Sequence, residues 1–340
     1  MTNPPVPTEL RPFRNVVAIW DRKADAATLR AAADLADRHG AHLTVLSCVE
    51  PPNDLHILAR VMATTPDDLL ARLVADRRAQ MADAVASVLP RSDANLVVAR
   101  GKPFIEIVQH TLREDVDVVV KTAEPLSGVA GFLFASTDHH LMRKCPCPVW
   151  LHLAADSPAP RTVIAAVDVD EWDAAEPETL GVLNRRVIEI ASRLASGPGA
   201  LVHVLHAWEA MGEGLVWTFS SRADASLPAQ RYVDEVEDAR RAALNDLVAP
   251  LLERSRDDEG PKLEPRLIRG APRAVIADQA RFLGAEVIVM GTVARTGLHG
   301  VIIGNTAEDI LNNVQCSVVT VKPDGFVSPI ALELDDVTQA

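Results

Sequence analysis

An internal repeat constrains the fold of this chain more than any other feature. Residues 100–153 recur at residues 269–322 without a gap. Identical residues keep a constant separation of 169 positions: Arg100 and Arg269, Gly101 and Gly270, Pro103 and Pro272, Gly128 and Gly297, Gly131 and Gly300, Thr137 and Thr306, and Cys147 and Cys316. Glycine, proline and cysteine serve different structural purposes, so composition does not explain this register. Duplication of one domain explains the constant separation.

The earlier part of each copy also agrees, but with insertions. Residues 15–21 correspond to 162–168, and residues 40–46 correspond to 199–205, so the offset rises from 147 to 159 before it reaches 169. Such insertions fall in loops and at helix ends. We therefore predict one domain over residues 1–155, a second over 160–325, and a mobile acidic tail over 326–340.

Each copy alternates short apolar runs with helical segments. In the first copy we predict strands over 16–20, 42–48, 95–99, 116–121 and 149–153, and helices over 25–39, 66–89, 103–114 and 137–144. This alternation implies parallel pairing through right-handed crossovers, with helices on both faces. The predicted fold is α/β, with two tandem doubly wound parallel five-stranded sheets. The last strands, 149–153 and 317–322, are expected to be sheet edges that pair as an intrachain pseudo-dimer.

Composition excludes several functional classes. With 48% hydrophobic residues the chain is globular, and its net charge of −13 argues against nucleic acid as a partner. No run approaches the roughly 20 apolar residues that span a bilayer, and the first residues do not resemble a signal peptide. We expect a cytoplasmic protein with no membrane partner.

The four cysteines do not form a disulfide framework. Cys145 and Cys147 are separated by one proline, a spacing tighter than the common zinc pair, and no second Cys/His pair lies near them in the sequence. The segment is interpreted as the start of a strand, and no metal site is predicted.

Ligands of an open parallel sheet bind beyond the carboxyl ends of its strands. In the second copy these ends are followed by Asp168, Ala207 and Gly291. Further on, Gly304-Asn305-Thr306 opens a predicted helix, whose N-terminus offers free N–H groups and a positive dipole end to an anion. The second copy therefore has a candidate anion site at the carboxyl edge of its sheet.

These residues resemble a known pattern. The duplication, the aspartate after the first strand and the glycine spacing are similar to the universal stress protein family, of adenine nucleotide alpha hydrolase-like fold, and to its tandem two-domain E-type members. Nucleotide-binding members carry G-x2-G-x9-G-[ST]; here Gly291 and Gly304 match, Ala294 replaces the middle glycine, and Asn305 stands at the Ser/Thr position. The resemblance implies a site for ATP or AMP, with Mg²⁺ only alongside the nucleotide. It implies contacts from Asp168 and Ala207 to adenosine, and around the phosphates from Gly291, Arg295, Thr296, Gly304, Asn305 and Thr306.

The first copy serves as an internal control. The equivalents of Gly291, Ala294, Arg295 and Gly304 are Thr122, Pro125, Leu126 and Ala135. Threonine, proline and alanine oppose the close approach or positive φ that a phosphate loop needs. We predict that the first copy has lost the site, which leaves at most one nucleotide per chain.

Other functions stay open at this point. The chain has no G-x-S-x-G, G-x4-G-K-[ST] or H-E-x-x-H motif, so we expect no catalytic residues and no enzyme activity. One alternative to a nucleotide binder is a scaffold, or a binder of an unknown apolar small molecule, whose nucleotide site has decayed. A protein partner and a homodimer stay open with it.

Several other residues have plain structural interpretations. His203 and His206 are expected to share a strand face without an acidic partner, and His139 and His140 to be solvated. Trp208, Trp217 and Phe219 either form satellite core or wall an apolar pocket, with core favoured.

Overall fold

The computed structural model describes residues 12–21, 26–124, 136–153, 159–170, 176–219, 226–254, 260–292 and 314–330. Two compact units divide them. The first contains the described residues up to 159 together with those from 316 onward, and the second contains the described residues from 160 to 292 with 314 and 315. No helix among the described residues is long and apolar enough to cross a membrane.

The elements of the first repeat follow the predicted alternation. In chain order they are β1 (Asn15–Ile19), α1 (Ala26–His39), β2 (His42–Val49), α2 (Leu55–Val61), α3 (Pro66–Val88), β3 (Asn95–Arg100), α4 (Pro103–Arg113), β4 (Val118–Thr122), α5 (Ser136–Lys144) and β5 (Val149–His152). All five predicted strands and all four predicted helices are present. Only α2 was not predicted.

The described elements of the second repeat follow the same order as far as its fourth strand. Its elements are β6 (Thr162–Ala166), α6 (Pro177–Leu194), β7 (Leu201–Trp208), α7 (Glu213–Phe219), α8 (Ser226–Arg254), β8 (Lys262–Arg269), α9 (Pro272–Leu283), β9 (Val287–Gly291) and β10 (Ser317–Val321). The α/β class is therefore confirmed in both repeats.

The sheet of the first unit has the order β3-β2-β1-β4-β5-β10. Its first five strands are parallel, and β10 runs antiparallel to β5 with Val319 opposite Trp150. The predicted pairing of the two terminal strands is confirmed. The last strand of the second repeat thus belongs to the compact unit of the first repeat, which the predicted domain boundaries did not anticipate.

The strands β9, β6, β7 and β8 of the second unit lie in that order, and all are parallel. The chain forms β6 first and then adds β7 and β8 in turn on one side of it. The next strand, β9, pairs with β6 on its other side. The strand order therefore reverses between β6 and β9.

The repeated Arg-Gly pair has the same structural purpose in both units. Gly101 has φ of +146° and Gly270 has φ of +142°, a backbone conformation that favours glycine. Each of these glycines donates its N–H to the neighbouring strand, Gly101 to the carbonyl of Val49 and Gly270 to that of Trp208. Pro103 and Pro272 then start α4 and α9, where a missing N–H costs no helical hydrogen bond.

The start of the predicted acidic tail is packed rather than mobile. Ser328 and Ile330 are both about 1% exposed, and the Lys322 ammonium lies 5.0 Å from the ring centre of Phe326. The apolar side chain of Ile330 stabilises this packing by leaving water. The expectation of mobility is therefore wrong for residues 326–330, and the remainder of the tail lies outside the described residues.

Candidate functional site

The reversal of strand order in the second unit defines a crevice between β6 and β9. Asp168 follows β6, and Gly291 ends β9 across the crevice. Ala207 lies near the end of the adjacent β7, paired with Ile268 of β8. Three of the predicted site residues are thus brought to one edge of one sheet, as the sequence predicted.

The backbone at Asp168 is held from the helix that follows it. The side chain of Asn184, on α6, accepts the N–H of Asp168 at 3.1 Å and donates to its carbonyl at 2.6 Å. Asn184 is buried, so both bonds are shielded from water. The Asp168 carboxylate in turn accepts the N–H of Asp170 at 3.1 Å. The turn after β6 is therefore pre-formed.

A buried ion pair lies directly behind this turn. Arg240 of α8 contacts both carboxylate oxygens of Asp170, through Nε at 2.8 Å and through a terminal nitrogen at 3.2 Å. His206 of β7 places its Nε2 3.7 Å from the same carboxylate. Burial raises the pKa of Asp170, but the contacts with His206 and Arg240 outweigh it and hold the pKa at about 2. Asp170 is an anion at neutral pH, and its low pKa makes it a weak base there.

Trp208, at the end of β7, is enclosed by two guanidinium groups. The Arg240 carbon lies 5.5 Å and the Arg269 carbon 5.8 Å from its ring centre. Arg269 also pairs with Glu213 of α7 at 2.6 Å. The cation–π contacts couple the end of β7 to α8 and β8, and the ion pair of Arg269 with Glu213 extends this coupling to α7.

Gly291 lies in close contact with α6, whether or not a ligand binds. A Cβ added there would lie 2.7 Å from Cδ2 of Leu183 on α6, closer than real Cβ atoms approach other carbons. The close contact between β9 and α6 thus explains the glycine without a phosphate. The contribution of Gly291 to ligand binding stays a prediction.

The corresponding edge of the first unit is filled by a charged cluster. Lys121 of β4 pairs with Asp138 of α5 at 2.9 Å and with Glu124 at 2.7 Å, and Asp138 also accepts the N–H of Glu124 at 3.0 Å. Burial alone would lower the pKa of Lys121, but the two carboxylates outweigh it and raise the pKa. Lys121 is therefore a buried cation with its counter-charges built in.

Hydroxyl groups extend this cluster toward α1. Thr122, the equivalent of Gly291, donates to the hydroxyl of Thr28 at 2.9 Å, and that hydroxyl lies 3.1 Å from Nδ1 of His152. Thr28 and His152 are fully buried. In the second repeat the positions of Lys121, Asp138 and His152 carry Met290, Ala307 and Val321, so this polar network is specific to the first unit.

Two interpretations of the histidines were wrong. Residues three apart on a strand point to opposite faces. His206 accordingly approaches Asp170, while His203 lies 3.3 Å from Glu264 and accepts a hydrogen bond from Arg266. Burial and the nearby Arg266 lower the pKa of His203, so it is neutral at physiological pH. His140 is not simply solvated either, because it is half-buried and stacks on Phe104 at 4.1 Å between ring centres.

The aromatic residues of this region have separate environments. Trp208 belongs to β7 and is buried, as the core interpretation predicted. Trp217 and Phe219 lie on α7 and are 50% and 84% exposed, so the same interpretation is wrong for them. The short helix α7 has no buried residue.

Within the described residues, one group has the spacing of a metal site. Ligand atoms of Asp168, Asp170 and His206 lie within 4.8 Å of one another. Asp170 already has its charge balanced by Arg240, which would repel a cation at the same carboxylate. This arrangement favours a structural ion pair over a bound metal.

The remaining predicted site residues lie outside the described residues. They are Arg295, Thr296, Gly304, Asn305 and Thr306, together with Ala294 and the first-copy residues Pro125, Leu126 and Ala135. Sequence reasoning also missed residues that shape the site, namely Asn184, Asp170 and Arg240. An aspartate two positions after Asp168 was a visible signal, but its partner lies 70 positions further along the chain.

Comparison with known proteins agrees with this architecture. The model of the universal stress protein family matches residues 12–152 and again 182–322, so the chain belongs to that family. It is 31% identical over 241 residues to universal stress protein E of Salmonella typhi and 30% identical over 241 residues to that of Escherichia coli K12, covering 71% of each chain. The resemblance inferred from the repeat and the glycine spacing is confirmed.

Solved structures extend the likeness in fold to nearly the whole chain. A functionally unknown protein from Pseudomonas aeruginosa superposes with a TM-score of 0.65 at 22% identity, covering 97% of this chain and 99% of its own. A universal stress protein from Archaeoglobus fulgidus superposes with a TM-score of 0.57 at 15% identity, covering 91% and 98%. Both matches concern the fold alone.

Proposed function

We propose that this universal stress protein is a regulatory, non-enzymatic binder of one adenine nucleotide per chain, ATP or AMP, in its second unit. Mg²⁺ would enter only with the nucleotide. The observation that carries this proposal is the contrast between the two units at the carboxyl edge of the sheet, beside the ends of the first and fourth strands of each repeat. Lys121, Thr122 and Asp138 fill that edge in the first unit, whereas Gly291 and the pre-formed Asp168 turn stand there in the second.

The proposed contacts follow the geometry of the crevice. Asp168 and Ala207 flank the position expected for adenosine, at the edge where β6 and β7 end. The phosphates would lie toward β9 and the helix start that the sequence predicts at Gly304, where backbone N–H groups attract anions. The residues proposed for that part are Gly291, Arg295, Thr296, Gly304, Asn305 and Thr306.

The state of the acids supports binding rather than catalysis. Asp170, the most buried carboxylate near the crevice among the described residues, is committed to Arg240 and has a pKa of about 2. A general base for phosphate chemistry needs a pKa nearer the working pH. We therefore propose that bound nucleotide is retained and not turned over.

The test uses matched variants in the two repeats. Gly304→Val adds bulk and β-branching at the proposed helix start, and Ala135→Val makes the equivalent change in the first repeat, where no site is proposed. By titration calorimetry with ATP and with AMP, the parent should bind one nucleotide per chain. Gly304→Val should weaken binding at least about tenfold, which is about 1.4 kcal/mol, and Ala135→Val should not change it. Two sites of similar affinity, or equal effects of the two variants, would refute the proposal.

The exposed helix α7 favours a second candidate function, a scaffold or a binder of an apolar ligand. Met211, Leu215 and Phe219 are all more than half exposed on or beside this helix, an unusual concentration of apolar side chains at the surface. In this reading the nucleotide site has decayed and the second unit recruits a protein or an apolar molecule instead.

Ala294→Gly separates the two candidates. If residue 294 must adopt a left-handed conformation around phosphate, alanine there costs about 1 kcal/mol and the glycine variant should bind ATP about fivefold more tightly. Equal or weaker binding at fixed salt and magnesium would favour the scaffold or apolar-ligand function.

A further inference from the structure

Two cysteines lie side by side in the first unit, between α5 and β5. Their sulfur atoms are 3.5 Å apart, Cys145 is fully buried and Cys147 is 7% exposed. The segment leads into β5, as the sequence predicted. The start of a strand does not by itself require two cysteines. In the second repeat the equivalent positions carry Val314 and Cys316, so that repeat has a single thiol there.

The surroundings of the pair lower the pKa of Cys145 from its ordinary value. The thiol contact with Cys147 lowers the pKa of Cys145, burial opposes this, and the hydroxyl of Thr111 and the charge of Lys322 act in the same direction as Cys147. Burial lowers the pKa of Lys322 to about 8, so this side chain is still mainly an ammonium ion near neutral pH. A nearby cation is one of the features that activate a cysteine.

The geometry also suits bond formation. The sulfurs must close from 3.5 Å to the roughly 2.0 Å of a disulfide, and the two residues are already joined through a single proline. A ring closed over one intervening residue is tight, and a tight disulfide is easily reduced. Cys145 is fully buried and Cys147 is 7% exposed, so a small oxidant can reach the Cys145 sulfur only from the side of Cys147.

We infer that Cys145 and Cys147 form a reversible disulfide in response to hydrogen peroxide. The thiolate of Cys145 attacks one peroxide oxygen, an S–O bond forms, the O–O bond breaks, and the departing hydroxide takes a proton to become water. The sulfur of Cys147 then attacks the sulfenic sulfur, the S–S bond forms, the S–O bond breaks, and the Cys147 proton leaves with hydroxide as a second water. Two thiols are oxidised and one peroxide is reduced; a dithiol reductant reverses the change.

Peptide mapping of the full-length parent protein tests this inference directly. The reduced protein is treated with peroxide, unfolded in an alkylating agent and digested with trypsin. Cleavage after Lys144 and Arg161 releases both cysteines in one peptide, separate from those of Cys48 and Cys316. That peptide should lose two hydrogen atoms, resist alkylation and regain both thiols with dithiothreitol. It should lose alkylatable thiol at least about tenfold faster than the peptide of Cys316.

Two variants complete the design. Cys145→Ser should leave Cys147 as a single thiol that forms no internal disulfide, and the matched control Cys316→Ser should leave the reaction of the pair unchanged. The inference is overturned if the pair stays fully alkylatable while Cys48 or Cys316 is oxidised, or if dithiothreitol does not reverse the oxidation. The mapping of the parent protein decides the matter even if a variant does not fold.

Discussion

Replacing Lys121 by methionine, the residue at the equivalent position 290, tests whether the first unit is held by its internal ion pair. Asp138 is fully buried and would lose its nearest cation. Removing one partner of a buried pair typically costs about 3–5 kcal/mol, because the other charge is left without compensation. For a domain of this size each kcal/mol lowers the midpoint of thermal unfolding by roughly 2–4 °C, so we expect a decrease of roughly 6–20 °C.

The assay is thermal unfolding followed by circular dichroism, with a double variant and a control. Lys121→Met with Asp138→Ala copies the second repeat, removes both charges and should be more stable than Lys121→Met alone. Lys262→Met changes an exposed lysine of β8 and should alter stability by less than about 0.5 kcal/mol. Equal midpoints for the two lysine variants, or purely additive losses in the double variant, would refute the reasoning.

The deficit of Lys121→Met should also depend on pH. Burial already raises the pKa of Asp138 in the parent protein although Lys121 opposes it, and without Lys121 the folded-state pKa should rise further. The native state then favours the protonated acid. The deficit should therefore be smallest below about pH 4 and grow as the pH rises through the raised folded value.

Two further predictions concern the second unit. The pKa of Asp170 falls from 3.8 to about 2, which at about 1.4 kcal/mol per pKa unit stabilises the fold by roughly 2 kcal/mol above about pH 4 and is lost as the pH falls toward 2. Asp170→Asn should lower the unfolding midpoint at neutral pH and flatten its dependence on acid; an acid profile identical to that of the parent would be inconsistent with this. Gly291→Ala should cost about 1 kcal/mol in urea unfolding because its Cβ meets a methyl group of Leu183, and when it is combined with Leu183→Ala the total loss should be smaller than the sum of the two single losses. A Gly291→Ala protein as stable as the parent would show that the contact is unimportant.

The sequence predicted the fold well because the evidence for it was repeated. Gly101 and Gly270, 169 positions apart, both have positive φ, and Pro103 and Pro272 both start helices. When the same residue stands at the same place in both copies, a structural requirement for that residue is a better explanation than chance. The short helices α2 and α7 were missed because seven residues are too few for a clear helical period.

The site was predicted only in part, for a different reason. Asp168 and Gly291 follow strand ends and can be located from the strand pattern. The ion pair of Asp170 with Arg240 joins a loop to a helix 70 positions away, in the region where the two copies lose their common register. The pair of Lys121 with Asp138 depends on how α5 packs against β4, and side-chain packing of that kind leaves no periodic signal.

The central claim is that only the second repeat binds nucleotide, and photolabelling with 8-azido-ATP tests it most directly. The azide sits on the adenine, which the proposed geometry places near Asp168 and Ala207. After irradiation and peptide mapping, the label should lie in the second repeat beside these residues, and excess AMP should suppress it. Label of equal yield beside Asp21 and Cys48, the equivalent positions of the first repeat, would contradict the account.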